Sequence, residues 1–209
     1  VTANNGIITL TANDTSAANA SPEGITVGAG GISSGGGAIN LLAADDIALG
    51  GDVNATAGTV TITADSAGQD VTTADTDGAI TRTAGTVTGG TVNLNAEEGI
   101  AATTAAGTLN AVNGATGGAI TITEADDVTL GTVTNAFATG AVSVTTTSGT
   151  ITTGAVAVTA NNGIITLTAN DTSVANASPE GITVGAGGIT SGGGAINLLA
   201  ADDIALGGD

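Results

Sequence analysis

The sequence has no cysteine, histidine, methionine, tryptophan or tyrosine, a single phenylalanine (Phe137), and one cation, Arg82. Each absence excludes something. Without cysteine there is neither a disulfide framework nor a metal–thiolate site, which suits a protein that crosses membranes unfolded before it folds. Without His, Cys, Lys or Tyr there is no activated nucleophile of the usual kinds and no base tuned near neutral pH, so catalysis is not expected. Paired carboxylates could still cleave a glycoside, but the acidic residues recur throughout the chain, whereas an active site occurs once. With one Arg against 19 Asp and Glu, nucleic-acid binding is excluded, because neutralising phosphates takes Lys and Arg. No stretch approaches the roughly 18 apolar residues of a membrane helix, and the aromatic girdles of a membrane barrel are missing.

What is present is Gly, Ala, Thr, Val and Ile, with a net charge of −18 over 209 residues. Such a charge leans toward disorder. Short alternating runs such as TVTITA and GAITIT oppose it, because their β-branched residues suit a pleated surface with one buried face. A compact core of these small side chains would be thin, so the strands must find their stability another way.

Repetition supplies it. Val1 to Asp52 recurs as Val158 to Asp209, changed only at Ala17 (Val174) and Ser33 (Thr190), a period of 157 residues. Residues 1–209 therefore read as one continuous segment of a tandem array. Within the period, the first apolar residues of the alternating strands are Ile8, Ile39, Val60, Val92, Ile120, Val142, Ile165 and Ile196, spaced 21 to 32 residues apart. The shortest spacings fit three short strands and three tight turns. The expected fold is all-β, a right-handed parallel β-helix (a solenoid) with about 21–32 residues and three short strands per coil, six coils making one unit of about 29 Å at a rise of about 4.8 Å per coil.

Simple stacking predicts three inward rows. One joins the eight residues just named. The next joins Leu10, Leu41, Ile62, Leu94, Ile122, Val144, Leu167 and Leu198, and the third Ile25, Ile47, Ile80, Ile100, Val128, Ile151, Ile182 and Ile204. Outward positions form a ladder of Thr9, Asn40, Thr61, Asn93, Thr121, Ser143, Thr166 and Asn197, too mixed to be an ice-ordering threonine array.

An acidic or amide pair follows most strands: Asn13 and Asp14, Asp45 and Asp46, Glu97 and Glu98, Asp126 and Asp127, Asn170 and Asp171, Asp202 and Asp203, with Asp65 alone at the equivalent place. Stacking predicts one carboxylate column along a corner, interrupted at Thr147 and Ser148. Neighbours about 5 Å apart repel by roughly 1 kcal/mol even in water. Such a column is either a solvated acidic edge that discourages lateral aggregation or a place for a hard cation. Ca²⁺ is the cation expected, and Asp45, Asp46, Glu97, Glu98, Asp126, Asp127, Asp202 and Asp203 are its candidate ligands. Neither the EF-hand loop nor the glycine–aspartate nonapeptide of calcium-binding β-rolls occurs.

The run GGAINLLAADDIALGGDVNATAGTVTITA (Gly36 to Ala64), echoed by GGTVNLNAEEGIAATTAAGTLNAV and GGAITITEADDVTLGTVTNA, resembles the repeats of filamentous-haemagglutinin-type adhesins and giant β-strand-repeat bacterial surface proteins. The resemblance spans the whole chain. It implies export across a Gram-negative outer membrane, an extracellular or cell-surface location, and a role in adhesion or cell–cell contact. The expected role is a structural rod or stalk whose nearest partners are neighbouring repeats. The alternative is a multivalent adhesive module with calcium-stabilised acidic turns. Self-association into fibres is a further expectation, with Leu42 and Leu199 pointing outward, as is a cell-surface receptor. The long turns Thr11 to Gly24, Thr63 to Gly78 and Thr168 to Gly181 project where recognition usually sits, but they are small, polar and poor in aromatics, which argues against a carbohydrate-stacking site and for spacers or weak lateral contacts.

Overall fold

The computed structural model describes residues 1–14, 23–65, 78–172 and 180–207. Most of the three long turns named as recognition loops lies outside them. Among the described residues there are 21 strands and no helix, hence none able to cross a membrane. The strands form one sheet in which every pairing is parallel. The sheet winds on itself as a parallel β-helix. Each strand of the inner coils lies between its counterparts in the coils before and after, so the ladder satisfies the backbone without help from large side chains.

Three faces make the first coils. The first face carries Ile8–Ala12, Ile39–Ala43 and Thr59–Thr63; the second Ile25–Val27, Ile47–Leu49 and Ile80–Arg82; the third Ile32–Ser34 and Val53–Asn54. Alternation holds throughout. Ile39, Leu41 and Ala43 are fully buried while Asn40 and Leu42 between them are not. The core is a continuous file of Ile, Val, Leu and Ala from Ile8 to Ile182. A coil buries little alone, but each aliphatic side chain is covered by like ones above and below.

The predicted rows are correct in two halves and wrong where they join. Ile8, Ile39, Val60 and Val92 do stack. Val92, however, pairs with Leu109 and then Leu130, and Ile120 pairs with Ile100. The row that runs the length of the rod is Ile25, Ile47, Ile80, Ile100, Ile120, Val142, Ile165 and Ile196. All three predicted rows break at this place, and so does the outward ladder, where Thr121 sits over Ala101 rather than Asn93.

The cause is the strand Ile100–Asn113, fourteen residues without a turn. It wraps the second, third and first faces, with Ile100, Ala102, Thr104, Ala106, Leu109, Ala111 and Asn113 buried. Small inward residues let a strand round a corner that elsewhere needs a loop. The coil from Val92 to Leu109 is therefore only 17 residues, shorter than any spacing predicted, while Ile47 to Ile80 takes 33.

As a result the 157-residue period is not a whole number of coils. Ile8 lies on the first face and its copy Ile165 on the second, in the row of Ile25; six coils separate Ile25 from Ile165. The unit is six coils plus one face, and the two copies of the same sequence occupy different sides of the rod.

Candidate functional site: the acidic corners and the polar interior

The turn after each first-face strand is held to the next coil by backbone contacts: Ala44 N donates to Ala12 O, Asp65 N to Asp45 O, and Glu97 N to Gly78 O. Asp14, Asp45, Asp65 and Glu97 thus share one corner. The corner continues with Gly114 and Gly117, which donate to Ala96 O and Glu97 O, and carries no further acid there. Asp126 and Asp127 follow Glu124, whose strand lies on the second and third faces. In that corner Thr147 N donates to Glu124 O, Gly149 N to Asn170 O, and Ala201 N to Ala169 O. The expected single column is two shorter ones on different corners, displaced by the one-face advance of the repeat. The interruption at Thr147 and Ser148 falls within the second.

Within each corner the carboxylates serve the backbone. Asp46 Oδ1 accepts from the amides of Gly78 (3.2 Å) and Ala79 (2.8 Å) in the next coil. Asp52 Oδ1 accepts from Thr86 N at 2.9 Å, and Asp127 Oδ1 from Thr150 N at 2.7 Å and Thr150 Oγ1 at 3.1 Å. Asp45 Oδ2 accepts from Glu23 N at 2.5 Å, and its counterpart Asp202 from Glu180 N at 3.1 Å. A turn exposes amides that no ladder strand can take, and an ionised carboxylate is a strong acceptor for them. Repulsion along the column is thereby offset inside the chain. Among the described residues, no three acidic side chains converge as a metal site requires. Glu97, Glu98, Asp126 and Asp203 stay on the surface or partly so.

Two groups were not anticipated. Glu23 and Glu180, equivalent in the two copies, each keep one buried carboxylate oxygen without a hydrogen-bond partner in the structure. Burial pushes both carboxyls up, helped by Asp14 and Asp45 for Glu23 and by Asp171, Asp202 and Asp127 for Glu180. Glu124 is fully buried inside the rod, in a row with Thr104 and Thr146. Thr104 Oγ1 donates to its Oε2 at 2.6 Å, and the amides of Ala106 (3.1 Å) and Ala125 (2.9 Å) donate to Oε1. Burial raises its pKa, and those three hydrogen bonds pull against the rise.

Asn113 and Asn135 form a second polar element of the interior, stacked in the corner row of Ala96 and Ala160. Asn113 Oδ1 accepts from Gly99 N at 2.6 Å; its Nδ2 reaches Gly117 O at 2.7 Å and Asn135 Oδ1 at 3.0 Å. Asn135 Nδ2 donates in turn to Ala141 O at 3.0 Å. Strand alternation alone marks Asn113 and Glu124 as inward, whereas Asn135 is turned inward by the extra residue in its strand between Leu130 and Val133. The signal was present in ITITE and in LNAVN.

The outer surface is a shallow polar ladder. Asn40 Nδ2 donates to Thr9 Oγ1 (3.4 Å), Asn93 Nδ2 to Thr61 Oγ1 (3.4 Å), and Asn110 Nδ2 to Asn93 Oδ1 (2.9 Å). These side chains are spent on one another. The arrangement ties neighbouring coils together side chain to side chain. No family model, curated protein or solved structure matches the chain.

Proposed function

We propose that this chain is a structural rod, a stretch of a long secreted bacterial surface protein whose repeats set reach in adhesion or cell–cell contact. The observation that carries this reading is the one-face advance of the repeat. A binding module that met a flat partner through many copies would align them on one side, which requires a whole number of coils per unit. Six coils plus one face instead turns each copy by a third of a revolution. Length accumulates while no side of the rod collects a repeated patch. The small, mutually bonded outer side chains, and the carboxylates of Asp46, Asp52 and Asp127 that bond the backbone of the next coil, agree with a part whose product is extent.

The test is deletion of one 157-residue unit from a longer array on cells. A stalk should shorten by about 30 Å, at about 4.8 Å per coil, and keep its attachment under shear. A steep loss of attachment strength would favour the multivalent adhesive module, since avidity falls sharply with the number of sites. Calcium belongs to that rival. A melting midpoint that drops on adding a chelator would give the acidic corners a cation-binding role that the rod reading does not need.

A further inference from the structure

We propose that Asn162 is a self-modification site: on the folded rod its side-chain amide is lost to attack by the backbone nitrogen of Gly163, and the residue becomes aspartate or isoaspartate with water as the co-reactant.

The dipeptide Asn–Gly occurs at Asn5–Gly6, Asn113–Gly114 and Asn162–Gly163. Glycine has no Cβ to shield its amide, so that nitrogen can reach the side chain before it and close a succinimide ring. Closure needs a nitrogen that is not held elsewhere and a side chain at liberty to turn toward it. The fold withholds both at Asn113 and leaves both at Asn162.

Asn113 is fully buried. Its Oδ1 accepts from Gly99 N at 2.6 Å, its Nδ2 reaches Gly117 O at 2.7 Å and Asn135 Oδ1 at 3.0 Å, and Gly114 N donates to Ala96 O at 2.8 Å. Asn162 is exposed, on the turn that leads into Ile165–Ala169. Among the described residues its side chain makes one long bond, from Nδ2 to Asn161 Oδ1 at 3.4 Å. Its Oδ1 lies in the hollow of the Gly192–Gly194 turn of the next coil, where a Cβ added at Gly193 would stand 2.9 Å from it. Gly163 is buried, yet among the described residues its amide donates to no acceptor, so ring closure there breaks no ladder bond. Ser191 Oγ donates to Gly163 O at 2.8 Å and holds the other side of the glycine. Coils lie before and after this turn, with Gly163 between Gly140 and Gly194.

The steps balance without a catalyst. Gly163 N gives its proton to hydroxide and bonds to Asn162 Cγ, the Cγ–Nδ2 bond breaks, and ammonia leaves with a proton from water. A second water opens the ring. Cleavage of the new Cγ–N bond gives aspartate on an unchanged main chain; cleavage of the original C–N bond gives isoaspartate, with an extra carbon in the main chain. The stack has no slack for that carbon, because a carbon added at Gly163 would run into Gly140 O and one added at Gly194 into Gly163 O.

The folded chain, held in neutral buffer and then digested with elastase in isotopically heavy water to mark conversion during digestion, should show the amide-to-acid mass change at Asn162. Asn113 should lag by at least about 100-fold, because its buried bonds must open first. Hydroxylamine, which traps the ring and cuts the chain there, should cut the folded chain after Asn162 and spare Asn113. In urea both sites should react at like rates. A folded chain whose Asn162 keeps its amide as long as Asn113 does would overturn the proposal, and so would an Asn113 that stays inert in urea, since the fold would then not be what separates the two.

Discussion

Replacing Asn113 by Ala should destabilise the rod by about 3–5 kcal/mol, a large effect for a residue whose row neighbours Ala96 and Ala160 already show that alanine fits the space. The magnitude follows from the bonds. Asn113 is fully buried, and its side chain supplies an acceptor to Gly99 N and donors to Gly117 O and Asn135 Oδ1. Each donated bond contributes about 1 kcal/mol net, and an orphaned buried amide at Gly99 costs roughly 1–3 kcal/mol. Asn113→Asp should cost at least as much, because a carboxylate would turn oxygen toward the oxygens of Gly117 and Asn135. The double variant with Asn135→Ala should recover about 1 kcal/mol of coupling between the two side chains. Urea denaturation followed by circular dichroism reads these as midpoint changes at constant slope. If Asn113→Ala stays within about 0.5 kcal/mol of the parent, the interior asparagines are dispensable and the bond-by-bond reasoning fails.

Glu124 gives a pH prediction. Its folded pKa is raised by burial, so between the ordinary carboxylate value and the folded value the native state holds the extra proton. Its contribution is then most favourable below the ordinary value and declines as pH rises through the folded one. Glu124→Gln keeps the amide bonds of Ala106 and Ala125 and should remove that decline, seen as a difference between two midpoint-against-pH curves; parallel curves would contradict it. Gly118 has φ of 76°, and an added Cβ would run into the Glu98 carbonyl oxygen. Gly118→Ala should lose more than about 1–2 kcal/mol from the left-handed conformation alone, whereas Gly28→Ala, with nothing within 4 Å of the added carbon, should sit within about 0.5 kcal/mol or gain stability. The register through the long strand is checked by cysteine pairs. Ala101→Cys with Thr121→Cys should form a disulfide, as adjacent outward residues, and Asn93→Cys with Thr121→Cys should not.

Some of this was legible before any coordinates. Alternation in ITLTA, INLLA and VTITA named the inward residues, and the near-identity of Val1–Asp52 and Val158–Asp209 required a stacked array, because aliphatic side chains this small can be covered only by copies of themselves. The break at Ile100 was not legible by marking strand starts. Between Ile100 and Leu109 in IAATTAAGTLNAVN the inward positions are Ala and Thr, which read equally as a turn extension or as a strand bending round a corner. Likewise the acidic pairs were visible as pairs, but their hydrogen-bond partners lie in a neighbouring coil, 22 to 33 residues away. Spacing along the chain carries no record of that distance in space.

Local chemistry by itself determined that these residues form strands, which side of each strand faces inward, and that the strands stack in parallel, since period-two alternation and small β-branched side chains leave few other ways to bury apolar surface. Only the tertiary structure decided how many faces a given stretch covers, and hence that the repeat advances by six coils and one face and splits the acids between two corners. Register is a property of two coils together. It is set by where ladder hydrogen bonds and turns close in space, and a strand free of bulky inward residues can pass a corner without announcing it.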